Sequence, residues 1–430
     1  MYIFSRGSSP HHIFHKPRMK YHLSSQMLWI AVVVLVTAVL HRTTGRDLRQ
    51  VSEPKIPASC VSLTGNGGDE TSTIQKALHS CAKGRTVRLA SGTFVSGPLT
   101  IPSGVGLWID SGAILKASTN AKLYDKGKNL CGTVNIEYRG CNSFISMQNA
   151  VGSGIYGKGT IDGQGGVKLV GKSQSWWDLS HEAQVQKKNE NNPFLIEIQN
   201  SRDITLYQIT IKNGPNFQVI VGRTDGFTAW GVTIDTPPSA RNTDGIDPAS
   251  SHNVTIAHCS ISTGDDNVAI KASSGAPSSH MSIINNHFGR GHGMSIGSDI
   301  NNGVSDVTVT SLTLRNTDNG LRIKSDRSRG GLVTDVTYTD VCMQGVKNPI
   351  ILDTAYSKTA SGNLIPVFKK ITFNNIRVLT KGTFTFDGFS DAQPIEVNLN
   401  NVHIKKGSKW AASHAHINGK YAEDENANSC

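Results

Sequence analysis

The sequence predicts an all-β fold: a right-handed parallel β-helix, a solenoid, closed by an N-terminal capping helix. Three observations predict it. First, eight segments line up along the chain: DITLYQITI (203–211), GFTAWGVTI (226–234), NVTIAHCSI (253–261), HMSIINNHF (280–288), DVTVTSLTL (306–314), DVTYTDVCM (335–343), KITFNNIRV (370–378) and EVNLNNVHI (396–404). Second, their second residues are separated by steps of 23, 27, 27, 26, 29, 35 and 26 residues, the near-constant period that marks a solenoid. Third, each segment alternates polar and apolar residues with period two, which is strand rather than helix. Gly, Asn, Asp and Ser fill the gaps and accept turn conformations with positive φ. A leucine-rich repeat is the rival solenoid, and the Leu spacing that it needs is absent.

Taken from the N-terminus, residues 1–50 stand apart. The run 27–40 (MLWIAVVVLVTAVL) is 14 residues long, short of the roughly 20 that a membrane span needs. Lys16, Arg18 and Lys20 precede it, the layout of a secretory signal, and Thr43, Thr44 and Gly45 supply small residues for cleavage. Met19 makes a cleaner start for such a signal, with residues 1–18 as an upstream extension. Cleavage is the expectation and an uncleaved anchor the alternative. The expected product is a secreted, extracellular monomer with no stable membrane association, its residues 51–430 forming one β-helix domain.

The seven cysteines agree with export. Cys60/Cys81 and Cys131/Cys141 form two local pairs, and an oxidising compartment would close both, each stabilising by about 2–4 kcal/mol. No C-x-x-C occurs, which argues against zinc or redox use. Cys259 and Cys342 lie in alternating apolar runs and read as buried small hydrophobes, and Cys430 is left over. Before the first coil, residues 72–84 carry a helical pattern: Thr71 or Ser72 as N-cap, Ile74, Ala77, Leu78 and Cys81 on one face, Gly84 as the stop. This helix blunts the open end that a β-helix otherwise exposes. Earlier coils follow at 86–94, 104–118 and 152–165. The excursion 166–192, with Trp176 and Trp177, interrupts the strands, either as a groove wall or as a loop with a tryptophan anchor.

The net charge of +11 first suggests a polyanionic partner such as nucleic acid. Residues 1–50 hold seven basic residues against one acid, so +6 belongs to the expected leader; the other 380 residues hold 36 against 31, or +5. No nucleic-acid-binding motif accompanies that charge.

Polar groups that break the alternation cluster at Asn242-Thr243-Asp244-Gly245, Gly264-Asp265-Asp266-Asn267, Gly291-His292-Gly293 and Arg322-Ile323-Lys324. Asp244 to Asp266 is 22 residues, Asp266 to His292 is 26, and His292 to Arg322 is 30, about one coil each. Residues one coil apart stack at the strand spacing of about 4.8 Å, so three carboxylates, an imidazole and two cations should line one side over about 14 Å. Each group alone also suits a turn, where Asp bonds backbone N–H groups; turns do not require a coil-periodic stack of opposite charges. Adjacent Asp265 and Asp266 should raise one carboxyl, as a general acid near neutral pH requires. Arg322 and Lys324, two apart on a strand, share a face and form an anion site or salt bridges. A calcium site built from the three Asp is disfavoured by the cations and His beside them.

These four motifs, once each and in this order, resemble glycoside hydrolase family 28, the polygalacturonases, over about residues 55–405. SEPKIPASC (52–60), SGPLTIPSGV (96–105), GTIDGQGGVKL (159–169), ARNTDGIDP (240–248), GDDNVAIK (264–271) and GHGMSIGS (291–298) are most similar to the bacterial, secreted, endo-acting members. Asn267 follows the GDD, as in that bacterial type, where many fungal and plant members have Cys. The resemblance implies the same β-helix and hydrolysis of α-1,4-galacturonosyl bonds in pectin by single displacement with inversion, without metal or cofactor. It implies Asp265 as general acid, Asp244 and Asp266 holding and deprotonating water, and His292 governing Asp265. It further implies that Arg322 and Lys324 bind a galacturonate carboxylate, that Asn242 fixes the site, and that Tyr356 in ILDTAY is an aromatic substrate contact. The alternatives are an exo-acting or rhamnogalacturonan-cleaving relative, a calcium-dependent pectate lyase, and an inactive pectin-binding β-helix.

Overall fold

The computed structural model describes residues 46–273 and 275–425. The apolar run 27–40, the expected cleavage stretch and Cys430 lie outside the described residues. Each coil adds one strand to an eleven-stranded parallel sheet and a bent strand, or a pair of strands, to an eighteen-stranded parallel sheet. The eleven strands begin with β1 (Leu99–Thr100), β2 (Ile145–Gln148), β3 (Ile196–Gln199) and β4 (Val219–Gly222). The sheet continues through β5 (Ile246–Ala249), β6 (Val268–Ile270), β7 (Met294–Gly297) and β8 (Asn319–Lys324). It ends with β9 (Asn348–Asp353), β10 (Thr383–Asp387) and β11 (Lys409–Ser413). Each bonds to the next in chain order, which is the topology of a right-handed parallel β-helix.

The repeat read from sequence is the register of the larger sheet. Ile204, Phe227, Val254, Met281, Val307, Val336, Ile371 and Val397 pair one above another along the axis. All are at most 1% exposed, and burying each such side chain stabilises by roughly 1.5–3 kcal/mol. The sixth position of each segment is the bend of its coil. Gln208, Gly231, His258, Asn285, Ser311, Asp340, Asn375 and Asn401 all have φ between 51° and 63°, a region that Gly and Asn enter most easily.

Helix α1 (Thr71–Ser80) covers the first coil with buried Ile74 and Leu78, and Cys81 beyond its end is joined to Cys60. Its start differs from expectation. Thr71 is the first helical residue, and Asp69 accepts from the Thr71 backbone N–H (3.0 Å) and hydroxyl (2.5 Å). The excursion contains a helix that its sequence did not announce, α2 (Trp176–Gln186), opened by a capping box between Ser175 and Asp178. Trp176 is buried edge-on to Tyr124, and the Trp177 indole donates to the Gly214 carbonyl at 3.0 Å, so both tryptophans anchor the excursion.

Cys131 is joined to Cys141, and Cys259 is free and buried. Cys342 corrects the sequence expectation: it is disulfide-bonded rather than a free small hydrophobe. Its alternating apolar context does place it where a hydrophobe would go, at 8% exposure, and could not distinguish the two. Residues 46–53, which straddle the boundary drawn at residue 50, run across the outside of several coils. Asp47 accepts from the Thr255 hydroxyl (2.7 Å), Arg49 donates to the Phe227 carbonyl (2.9 Å), and Tyr207 donates to Glu53 (2.7 Å). Among the described residues, no helix is long and apolar enough to cross a membrane.

Candidate active site

The charged cluster sits where the chain enters the middle strands of the eleven-stranded sheet. Asp244 precedes β5, Asp265 and Asp266 precede β6, and His292 precedes β7, while Arg322 and Lys324 lie within β8. The turns are tied to one another. Gly245 N–H donates to the Asp266 carbonyl (2.8 Å) and His292 N–H to the Asp265 carbonyl (2.8 Å). Thr243, whose hydroxyl donates to the Ala240 carbonyl (2.6 Å), accepts from the Gly264 N–H (3.0 Å). Asn267 accepts from the Gly293 N–H (2.8 Å) and donates to the carbonyls of Ile261 (2.9 Å) and Arg290 (3.0 Å). Gly291 has φ of 139°, and a Cβ there would lie 2.6 Å from both Asn267 Oδ1 and Thr263 Oγ1, so the motif needs its glycine.

Asp266 is buried at the centre. Its Oδ1 accepts from the Ser295 hydroxyl (2.9 Å) and the Arg322 guanidinium, and its Oδ2 from Lys324 (2.9 Å). Arg322 also donates through Nε to Ser295 at 3.0 Å. The cations belong to the strand two coils on and reach back across β7. Burial pushes Asp266 up, but Lys324 and Arg322 outweigh it and hold the carboxyl far below the usual range. Asp265 is more open and bonds His292 Nδ1 at 3.0 Å. Burial pushes Asp265 up as well, and the His292 hydrogen bond brings it below its ordinary value; that bond in turn raises His292. His292 Nε2 lies 3.7 Å from Asp318.

The raised carboxyl is therefore not at the adjacent pair, which corrects the sequence expectation. The cations counter the mutual repulsion of Asp265 and Asp266. Within the cluster, the raised carboxyls are Asp244, lifted well above its ordinary value by burial and then by Asp247, and Asp247, lifted by burial to about 6. Lys271, just past β6, offsets both: its Nζ is 2.5 Å from Asp247 Oδ2 and 3.4 Å from Asp244 Oδ2. Sequence reasoning missed Asp247 and Lys271. The signal was present, since 24 residues, again one coil, separate them.

The structure brings together Asp265, Asp266 and His292, whose ligand atoms all lie within 4.8 Å of one another, and joins Arg322 and Lys324 to them through Asp266. The trio has the spacing of a metal site, yet both Asp266 oxygens already accept from cations, so a dication there would face two buried positive charges. Tyr356 is exposed, with its ring 5.1 Å from Lys324 Nζ. Asn242 turns away from the cluster: in the left-handed region at φ 57°, it donates to Glu190 at the end of the excursion. Two open cavities flank the charges along the same face. One of about 380 Å³ is lined by Tyr138, Arg139, Phe217, Arg223 and Lys271. The other, of about 440 Å³, is lined by Arg327, Lys358, Phe389 and His414.

Acids, an imidazole hydrogen-bonded to one of them and buried cations close together are the equipment for protonating a leaving group on an anionic substrate. The comparisons with known proteins agree. Residues 81–426 match the glycosyl hydrolases family 28. The chain belongs to glycoside hydrolase family 28. Within it, the chain is 51% identical to an endo-polygalacturonase of Pectobacterium carotovorum subsp. carotovorum, over 85% of this chain and 91% of that protein. It is 49% identical to an endo-polygalacturonase of Pectobacterium parmentieri, over 86% and 93%. Among solved structures, the polygalacturonase from Erwinia carotovora ssp. carotovora superposes with a TM-score of 0.85 at 49% identity, covering 87% of this chain and 100% of that one. The family 28 fold therefore holds the acid–cation cluster at the eleven-stranded sheet of the solenoid.

Proposed function

We propose that this protein hydrolyses α-1,4-galacturonosyl bonds inside polygalacturonate, by single displacement with inversion, as a monomer outside the cell that makes it. The observation that carries the reading is the buried Asp266–Arg322–Lys324 cluster beside the Asp265–His292 pair, with two open cavities near it. The family and the endo-polygalacturonase names of its relatives supply the substrate class. The disulfides suit an extracellular site of action.

In this reading Asp265 gives a proton to the glycosidic oxygen as the bond to C1 breaks. Water attacks C1 from the opposite side and loses its proton to the Asp244/Asp266 side of the site. Inversion needs the acid and the water-holding carboxylate about 6.5–9.5 Å apart. His292 carries the proton that Asp265 must receive: their hydrogen bond holds one proton between them, and a desolvating substrate favours the neutral pair over the ion pair. Arg322 and Lys324, already drawn to Asp266, attract the carboxylate of the galacturonate beside the cleaved bond, and Tyr356 covers it. Asn242 fixes the turn ahead of Asp244 through Glu190.

A reducing-end assay on polygalacturonate tests the assignment. Asp265→Asn should lose about 10²–10⁴ of the rate, the worth of a positioned acid, and unchanged activity would sink it. A ladder of oligomers among the first products supports endo action; monomer or dimer alone would make the enzyme exo-acting.

A further inference from the structure

Lys271 closes the GDDNVAIK segment, yet the family resemblance gave it no role. Its ammonium lies between two carboxylates at the edge of the smaller cavity, and on another side it meets the Phe217 ring at 4.2 Å. Asp247 is fully buried, and its Oδ1 has no hydrogen-bond partner among the described residues. Three ionisable groups buried in contact stabilise a fold poorly, since well-packed apolar residues often serve as well or better. Their position beside Asp244 supplies a reason for them.

We propose that Lys271 is a positioning residue for the hydrolytic step, fixing Asp244 as the ionised acceptor of the attacking water's proton, with Asp247 as the counter-carboxylate that limits its pull. The proposal rests on reading Asp244 as a water-holding group. It also separates the roles of Asp244 and Asp266. Asp266 has both oxygens committed to Arg322, Lys324 and Ser295 and is a poor proton acceptor. Asp244 takes the proton, and Asp266 orients the water and the cations. The proton leaves the water oxygen as that oxygen bonds to C1, and Asp244 returns it to solvent after the product departs.

The groups facing Asp244 are Asp247 from β5, Lys271 from just past β6, and Asp265 and Asp266 from the turn before β6. Tyr138 is raised by burial, and Arg139, Glu190, Lys271 and Asp244 act on it in turn. Of these, Asp247 raises Asp244 and Lys271 lowers it, so their removal should move the base in opposite directions. A scaffolding role predicts no such inversion of sign.

The test is the pH dependence of kcat on polygalacturonate for Lys271→Met, Lys271→Arg and Asp247→Asn. Lys271→Met should move the acid limb to higher pH and lose about tenfold or more in kcat on that limb, the lower edge of a general-base contribution, with little change in KM. Lys271→Arg should stay close to the parent. Asp247→Asn should move the acid limb to lower pH. Limbs that stay in place, or that move the same way in both variants, overturn the proposal. If Lys271→Met does not fold, Asp247→Asn decides: an acid limb that is unmoved or moved upward contradicts the proposal. Asp244→Asn in the same series separates the two readings. Parental activity there would overturn the water-holding role itself; loss there, with unmoved limbs elsewhere, overturns only the role of Lys271.

Discussion

Asp266 and Asp244 lie under the same eleven-stranded face, one coil apart and both buried, yet their carboxyls are driven in opposite directions. Burial pushes both up. Asp266 has two cations to itself, while Asp244 and Asp247 share one. The charge ratio therefore sets the protonation state where burial does not distinguish the sites. One centre is permanently anionic and suited to holding cations and water in place. The other has a higher proton affinity and is suited to taking a proton.

The largest expected effect comes from breaking the first centre. Asp266→Asn leaves Arg322 and Lys324 buried without their anion, and urea unfolding should show a loss of about 3–5 kcal/mol, alongside near-complete loss of reducing-end activity. Next is Lys324→Met, which reduces the two-to-one ratio at Asp266 to one-to-one. A charge-assisted hydrogen bond of about 2 kcal/mol converts to a fall of roughly 30-fold in kcat/KM on polygalacturonate; a change under threefold would mean that the ammonium does not serve the substrate.

A third prediction uses pH. Asp266 has a depressed folded value, so its stabilisation is present above the ordinary Asp value and is lost as pH falls through the folded one. Asp247 behaves oppositely. Raised to about 6, it binds its proton more tightly folded than unfolded, so it withdraws stability as pH rises from about 4 to about 6. The Tm difference between Asp247→Asn and the parent should therefore climb across that window. A flat difference curve would mean that Asp247 does not titrate there. The smallest effect is expected at Lys347, whose exposed ion pair with Asp318 lies 2.5 Å apart on the rim. Lys347→Ala should leave urea stability unchanged within error, because solvent screens the pair.

The first centre was legible in the sequence; of the second, Asp244 stood out while Asp247 and Lys271 did not. NTDG, GDD, GHG and RIK each break the alternation of a strand, so Asp266, Arg322 and Lys324 stand out by composition. Coil spacing then brings them together. Asp247 lies inside IDPA and Lys271 just after VAI, strands that read as ordinary core, and a lysine at a strand end usually reaches solvent. The parallel pairing of these coils sets Lys271 beside Ala249, and from there its ammonium reaches Asp247. The solenoid itself was legible because its eight repeat residues each see the same neighbours above and below. Helix α2 was not, because Trp176 and Trp177 dominate its apolar pattern and its capping box, Ser175 with Asp178, is a single local signal. The state of Cys342 was hidden for a similar reason: a half-cystine and a buried thiol occupy the same kind of apolar site.

The central claim is that water attacks from the side opposite Asp265. The anomeric proton signal of the new reducing end, followed by NMR during the first minutes of polygalacturonate cleavage, tests it directly. Inversion predicts that the β-anomer appears first and the α-anomer grows in later by mutarotation. The α-anomer appearing first would contradict a water held by Asp244 and Asp266.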